Sequence, residues 1–102
     1  MINVNTVRNF SALDTGTQLL LTLFTLADDK GGIRTSKTAL ATYLKKSRET
    51  VGAYINRLAR SNIIKFKYSG AARINPEFYY HGAEQDKAEA LRLYQEFKSD
   101  VT

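Results

Sequence analysis

The sequence predicts a mainly α-helical fold with one small β-hairpin, an α+β domain. Three observations carry that expectation. Apolar residues recur at helical spacing in four separate stretches, 15–27, 36–45, 48–61 and 84–98. Between the third and fourth, over 63–75, apolar residues alternate with polar ones around Ser69-Gly70. Residues that cap helices, Asp14, Ser36 and Ser47, stand directly ahead of three of the helical stretches.

Taken in order, residues 2–10 alternate weakly through Ile2, Val4, Val7 and Phe10 and read as a short strand or an arm. The run LDTGTQ opens the first helix. Asp14 or Thr15 can cap it, and Thr15 with Gln18 has capping-box spacing. Leu19, Leu20, Leu23, Phe24 and Ala27 then form a broad stripe for burial. The acids and glycines of DDKGG favour a turn, which gives Asp28 and Asp29 a structural role. Ile33 and its neighbours fit a very short strand. The second helix starts at Thr35 or Ser36, with Ala39, Leu40, Tyr43 and Leu44 expected inward. Ser47 caps the third helix, in which Val51, Ile55 and Leu58 make the core stripe. Tyr54 and Tyr43 are expected to complete the core, and Asn62 is a candidate left-handed stop.

In the hairpin, Ile64, Phe66 and Tyr68 alternate with Lys65, Lys67 and Ser69, and ARIN returns. Pro76 ends the return strand or marks an edge. EFYYHG is an aromatic connector, and the last helix has acids in its first turn, where they suit the helix dipole. Two short helices joined by a tight turn, then a basic hairpin and an extra C-terminal helix, make a winged helix-turn-helix. The third helix would be the one presented to DNA.

Composition narrows the function classes. The 102 residues make one domain, with no repeat, linker or low-complexity segment. The absence of cysteine removes disulfides and thiolate metal sites and fits a reducing cytoplasm; the expected setting is a prokaryotic cytoplasm or nucleoid. No apolar run is long enough to span a membrane, and the start lacks the pattern of a signal peptide. The net charge is +5, and it is unevenly placed. From Lys30 to Arg73 there are eleven Lys or Arg and a single acid, Glu49. From Glu84 onward there are five acids and three bases. A concentrated basic surface is the footprint of a polyanion binder. His81, the sole histidine, is expected at the start of the last helix or on the surface. No cofactor, metal or small-molecule ligand is expected, and no phosphate loop or nucleophile–base set points to an enzyme.

The third helix begins with Arg48 and Glu49, which are adjacent, diverge by about 100° and so cannot pair well. Arginine can bond a guanine edge bidentately, and glutamate can accept from cytosine. Glu49 could instead serve only the helix dipole. Gly52 and Ala53 leave a flat surface, suited to a groove or equally to helix packing. Ala53 could touch a thymine methyl. Lys37, Lys45 and Lys46 suit phosphate contacts, as Arg57 does later on the helix. Lys65, Lys67 and Arg73 place positive charge on the wing. Ala90, Leu93, Tyr94 and Phe97 on the last helix are candidates for pairing two copies into a homodimer, or for folding back within one.

SRETVG followed by an apolar helix resembles the recognition helix of the catabolite activator (cyclic-AMP receptor) family, over about residues 36–64. The resemblance implies base contacts from Arg48 and Glu49 and phosphate contacts from Ser47 and Thr50. It also implies phosphate contacts from Ser36, Lys37 and Thr38. The chain departs at Ala53, where that family has a second base-contacting arginine, and it lacks the cyclic-nucleotide barrel. A second resemblance covers IIKFKYSGAARINPEFYYHG and the helix ending ALRLYQEF, which look like small plasmid replication proteins of the RepL type. The expected partner is double-stranded DNA. The leading expectation is a transcriptional regulator that represses by occupancy; the alternative is a plasmid or phage replication or partition factor.

Overall fold

The structure is a computed structural model that describes residues 13–101. The strand or arm expected over 2–10 lies outside the described residues. Helix α1 spans Thr15–Leu26. Its cap is Asp14, whose Oδ1 accepts the Thr17 N–H at 2.8 Å. That N–H holds the Asp14 carboxyl below its ordinary value. The capping box is replaced: Gln18 reaches back with Nε2 to the Leu13 carbonyl at 3.1 Å. After α1, Asp28 Oδ1 accepts from the Lys30 and Gly32 N–H groups at 2.9 and 2.8 Å. This closes the turn, with Gly31 at φ 83°, and leads into the short strand β1, Gly32–Arg34.

Helix α2 is Lys37–Leu44 and α3 is Arg48–Arg60, capped by Ser36 and Ser47. Both helices end in the same device. Lys45 and Asn62 take left-handed conformations at φ 57° and 59°. Lys46 N–H then returns to Ala41 O, and Ile63 N–H to Leu58 O, both at 3.0 Å. This is the Schellman closure, which satisfies carbonyls that the helix end leaves open. The inward face of α2 corrects the expectation. Leu40, Ala41 and Leu44 are buried, whereas Ala39 is exposed and Tyr43 is 66% exposed. A two-turn helix with apolar residues on most sides has two overlapping stripes, and packing on α3 selects one.

Strands β2, Ile64–Lys67, and β3, Ala71–Ile74, form the hairpin, with Gly70 at φ 121° in its turn. The hairpin recruits β1, so the sheet is three-stranded and antiparallel in the order β1-β3-β2. Phe66 and Ile33 both stand opposite Ala72. Alternation puts Ile33, Ile64, Phe66, Ala72 and Ile74 on the buried face. They meet Leu19 and Leu23 of α1, Leu40 and Leu44 of α2, and Val51 and Ile55 of α3 in one core. Each such large side chain contributes about 1.5–3 kcal/mol by leaving water. Phe24 stacks on Tyr79 with ring centroids 4.1 Å apart, which fastens the aromatic connector to α1.

The last helix, α4, is Lys87–Glu96, preceded by a 3₁₀ turn at Glu84–Asp86, so it is shorter than 84–98. It docks through polar and apolar contacts together. Ala90 and Tyr94 are buried. The Tyr94 hydroxyl donates to Asn62 Oδ1 at 2.7 Å, and Asn75 Nδ2 donates to Asn62 O at 2.9 Å. Asn62 thus joins the end of α3 to the end of the sheet and to α4. Beyond α4 the chain runs along β2. Ser99 Oγ accepts the Phe66 N–H at 3.0 Å, and Asp100 N–H donates to Phe66 O at 2.8 Å. Among the described residues no helix is long and apolar enough to cross a membrane.

Candidate nucleic-acid interface

The exposed ridge of α3 carries Arg48, Glu49, Ala53, Arg57 and Arg60. Glu49, Ala53, Arg57 and Arg60 lie opposite Val51 and Ile55, which are fully buried, whereas Arg48 is exposed because it opens the helix, ahead of the buried stripe. The 3.6-residue repeat therefore separates a core stripe from a charged one on the same helix. Among the described residues the ion pairs are those of Arg92 with Glu89 and Glu96, so Arg48 and Glu49 stand unpaired on the ridge. Arg57 lies with its guanidinium 5.1 Å from the Tyr54 ring centre, and Tyr54 itself is half-buried against the core.

Gly52 has a packing role rather than a groove-facing one. It is buried, and a Cβ there would come within 3.3 Å of Lys37 Cδ. Its lack of a side chain lets the Lys37 stem cross α3. The Lys37 ammonium then lies 4.9 Å from the centre of the Tyr68 ring in the wing turn. The hairpin turn is tied to the same place, because Thr35 N–H donates to Gly70 O at 3.2 Å. The start of α2, the ridge of α3 and the wing turn thus converge around Lys37.

The remaining predicted contacts divide into two groups. Thr38, Lys45, Lys46 and Ser47 are exposed, and Ser36 and Thr50 are half-buried. Ser36 Oγ accepts the Ala39 N–H at 3.0 Å, and Ser47 Oγ donates to Thr50 Oγ1 at 2.9 Å. Their hydroxyls keep lone pairs but are already held by their caps. Lys45 and Lys46 project from the turn between α2 and α3 without such ties.

On the sheet the expectation is corrected for two residues. Lys65 Nζ donates to the carbonyls of Tyr94 and Gln95 at 2.8 and 3.3 Å and closes the end of α4. Arg73 Nη2 donates to Lys30 O at 3.0 Å, and its Nε is buried without a hydrogen-bond partner. Neither presents its charge as a free wing contact. Lys67 is half-buried, with Nζ 4.6 Å from the Phe97 ring centre. Alternation turns all three away from the core, and on that outer face Lys65 and Lys67 meet the end of α4 and Phe97, while Arg73 meets the turn before β1.

The pairing surface expected on α4 is likewise used internally. Ala90 and Tyr94 are buried within the chain, and Leu93 and Phe97 are half-buried. The exposed side chains of Arg92 and Glu96 pair with each other, and Arg92 also pairs with Glu89. Burial pushes the Tyr94 hydroxyl up to about 12. His81 is exposed, with Nε2 3.3 Å from Ala27 O at the end of α1, not at the start of α4.

Spacing alone places Tyr43 and Tyr68 in the apolar pattern, and the structure exposes both. Tyr43 stands beside the Lys45–Lys46 turn, and Tyr68, 47% exposed, stands at the tip of the wing. The position of Tyr68 next to Ser69-Gly70 is the signal that places it beyond the strand.

No curated protein sequence and no solved structure gives a significant match to the chain. Over residues 12–102 it matches the family described as Firmicute plasmid replication protein (RepL). That span takes in all three helices of the core, the wing and α4. The chain belongs to the RepL family of Firmicute plasmid replication proteins.

Proposed function

We propose that this protein binds double-stranded DNA sequence-specifically through α3 and serves plasmid replication by recognising origin DNA. The observation that carries the reading is the unpaired, exposed Arg48 and Glu49 on a ridge flanked by Lys45 and Lys46. Opposite charges with no ion-pair partner among the described residues are suited to the guanine and cytosine groups on the major-groove edge of one base pair. The lysines suit phosphates, which set register without reading sequence. Thr38, Ser36, Ser47, Thr50 and Arg57 support that backbone grip, and Ala53 leaves room for a thymine methyl. No catalytic step is assigned to the chain. A cytoplasmic setting fits a plasmid-encoded protein of this kind.

The second reading is repression by operator occupancy. The same ridge supports it, because it needs only DNA binding. Selection of bound duplexes from a random pool tests both, at about 150 mM salt so that phosphate attraction does not mask preference. An enriched motif iterated at the plasmid origin supports the replication reading. A motif confined to a promoter supports repression. Binding of all duplexes alike, with no enriched motif, removes the base-reading role of Arg48 and Glu49. A two-fold symmetric motif with half-sites about 34 Å apart would require two copies, paired through a surface other than Ala90 and Tyr94.

A further inference from the structure

A single carboxylate stands on the wing where the basic surface would meet DNA. The backbone N–H of Tyr68 donates to Asp100 Oδ2 at 2.8 Å. Tyr68 lies between Lys67 and the hairpin turn, and the Lys37 ammonium sits 4.9 Å from its ring centre. Lys37 in turn crosses α3 at Gly52. A backbone N–H with lysines nearby has the chemistry of a phosphate contact. In the free protein that position is filled by an acid of the same chain.

The Asp100 side chain can leave without the chain unfolding from the wing. Its own backbone is held separately, by the Asp100 N–H on Phe66 O at 2.8 Å and by Ser99 Oγ on Phe66 N–H and O at 3.0 and 3.1 Å. Val101, the next residue, packs against the core. Asp100 is exposed. Rotating one exposed carboxylate therefore frees the Tyr68 N–H and leaves the flanking contacts intact.

We propose that the Tyr68 N–H is a phosphate site on the wing, which Asp100 occupies in the free protein and yields when DNA binds. This rests on the DNA-binding reading above. The consequence is a lower affinity for every duplex. Each must displace the carboxylate, so binding through phosphates alone is weakened, while the best site stays bound through the base contacts from α3.

Duplex affinity across a salt series, for the wild type, Asp100→Ala, Asp100→Asn and the control Glu84→Gln, tests it. Thermal melting checks that each chain folds. Asp100→Ala tightens cognate and random duplexes alike, by roughly 5-fold at low salt, and the gain shrinks as salt screens the surface. Asp100→Asn, which keeps an acceptor for the N–H, tightens binding less, and Glu84→Gln leaves it unchanged. Weaker binding by Asp100→Ala would overturn the proposal in favour of a wing-positioning role. Equal gains for Ala and Asn would overturn it in favour of plain repulsion. A second readout needs no DNA: the Tyr68 amide resonance in inorganic phosphate. It shifts at lower phosphate in Asp100→Ala than in the wild type. No shift in either chain sinks the site. If no chain binds duplex, the DNA reading fails on its own, and the phosphate titration still decides the site.

Discussion

One basic stretch of sequence supplies two groups of cations that end in opposite states. Lys45, Lys46, Arg48, Arg57 and Arg60 lie on the turn and ridge around α3 and are exposed. Lys65 and Arg73 lie on the sheet and hand their donors to carbonyls of the same chain. The difference follows from what covers each element. Among the described residues nothing packs over the outer stripe of α3, whereas α4 and the chain after it lie across the outer side of β2. Positive charge in a sequence is therefore not yet positive charge on a surface. The DNA contact proposed for the wing therefore rests on fewer groups than its composition implies: Lys67, the Tyr68 turn and Lys37 beside it.

The sharpest way to break this comparison is to remove the piece that covers the sheet. Tyr94→Ala deletes the buried ring and the hydroxyl on Asn62, and a loss of about 3–5 kcal/mol in chemical denaturation is expected. Unchanged stability with a changed oligomeric state would mean that α4 serves pairing after all. On the exposed side, Arg48→Ala should cost about 1–3 kcal/mol of affinity for the best DNA site and relax preference at one base pair. Its melting temperature should stay near that of the wild type, because the side chain is exposed and has no ion-pair partner among the described residues.

Lys65→Met should behave in the opposite way. It strips two carbonyls of a charged donor and should lower stability by about 1–2 kcal/mol. Its salt slope for DNA should match the wild type; a slope lower by about one unit would return Lys65 to the DNA surface. Lys45→Gly puts both effects on one residue. Lys45 holds a left-handed conformation that disfavours any Cβ, so glycine should raise stability by about 1 kcal/mol. The lost charge should meanwhile weaken all duplexes alike, and unchanged binding would remove Lys45 from the phosphate contacts.

The smallest effect is confined to alkaline pH. The Tyr94 hydroxyl ionises at about 12 in the folded chain against an ordinary value of 10.0. The folded state therefore favours the protonated form. That contribution is complete below about pH 10 and is lost as pH rises through 10 toward 12. Denaturation midpoints over this window should fall in the wild type and fall less in Tyr94→Phe. Parallel curves would show that Tyr94 ionises as readily in the fold as in water.

Much of the fold was legible because its signals are local. Asp14, Ser36, Ser47 and Asn62 act within one helical turn, and each does what its side chain or backbone preference dictates. Alternation over Ile64–Lys67 sets the buried face of the hairpin within the strand itself. The charged ridge of α3 was legible for the same reason: helical spacing places Glu49, Ala53 and Arg57 away from Val51 and Ile55, and Arg48 is exposed as the first residue of the helix. Gly52 showed the limit, since flatness alone could not say whether a groove or the Lys37 stem would use it.

By itself, then, the sequence determined which segments are helices, where they are capped, which strand faces are apolar and that the middle of the chain is basic. These follow from the period of the backbone and the chemistry of single residues. Only the tertiary structure decided that Tyr43 faces outward, that Lys65 and Arg73 are engaged within the chain, and that Asn62, Asn75 and Tyr94 meet. It also brought Asp100 to the Tyr68 N–H, a hydrogen bond between residues 32 apart. Contacts of that kind depend on which second layer covers an element, and no periodicity within the element records its neighbour.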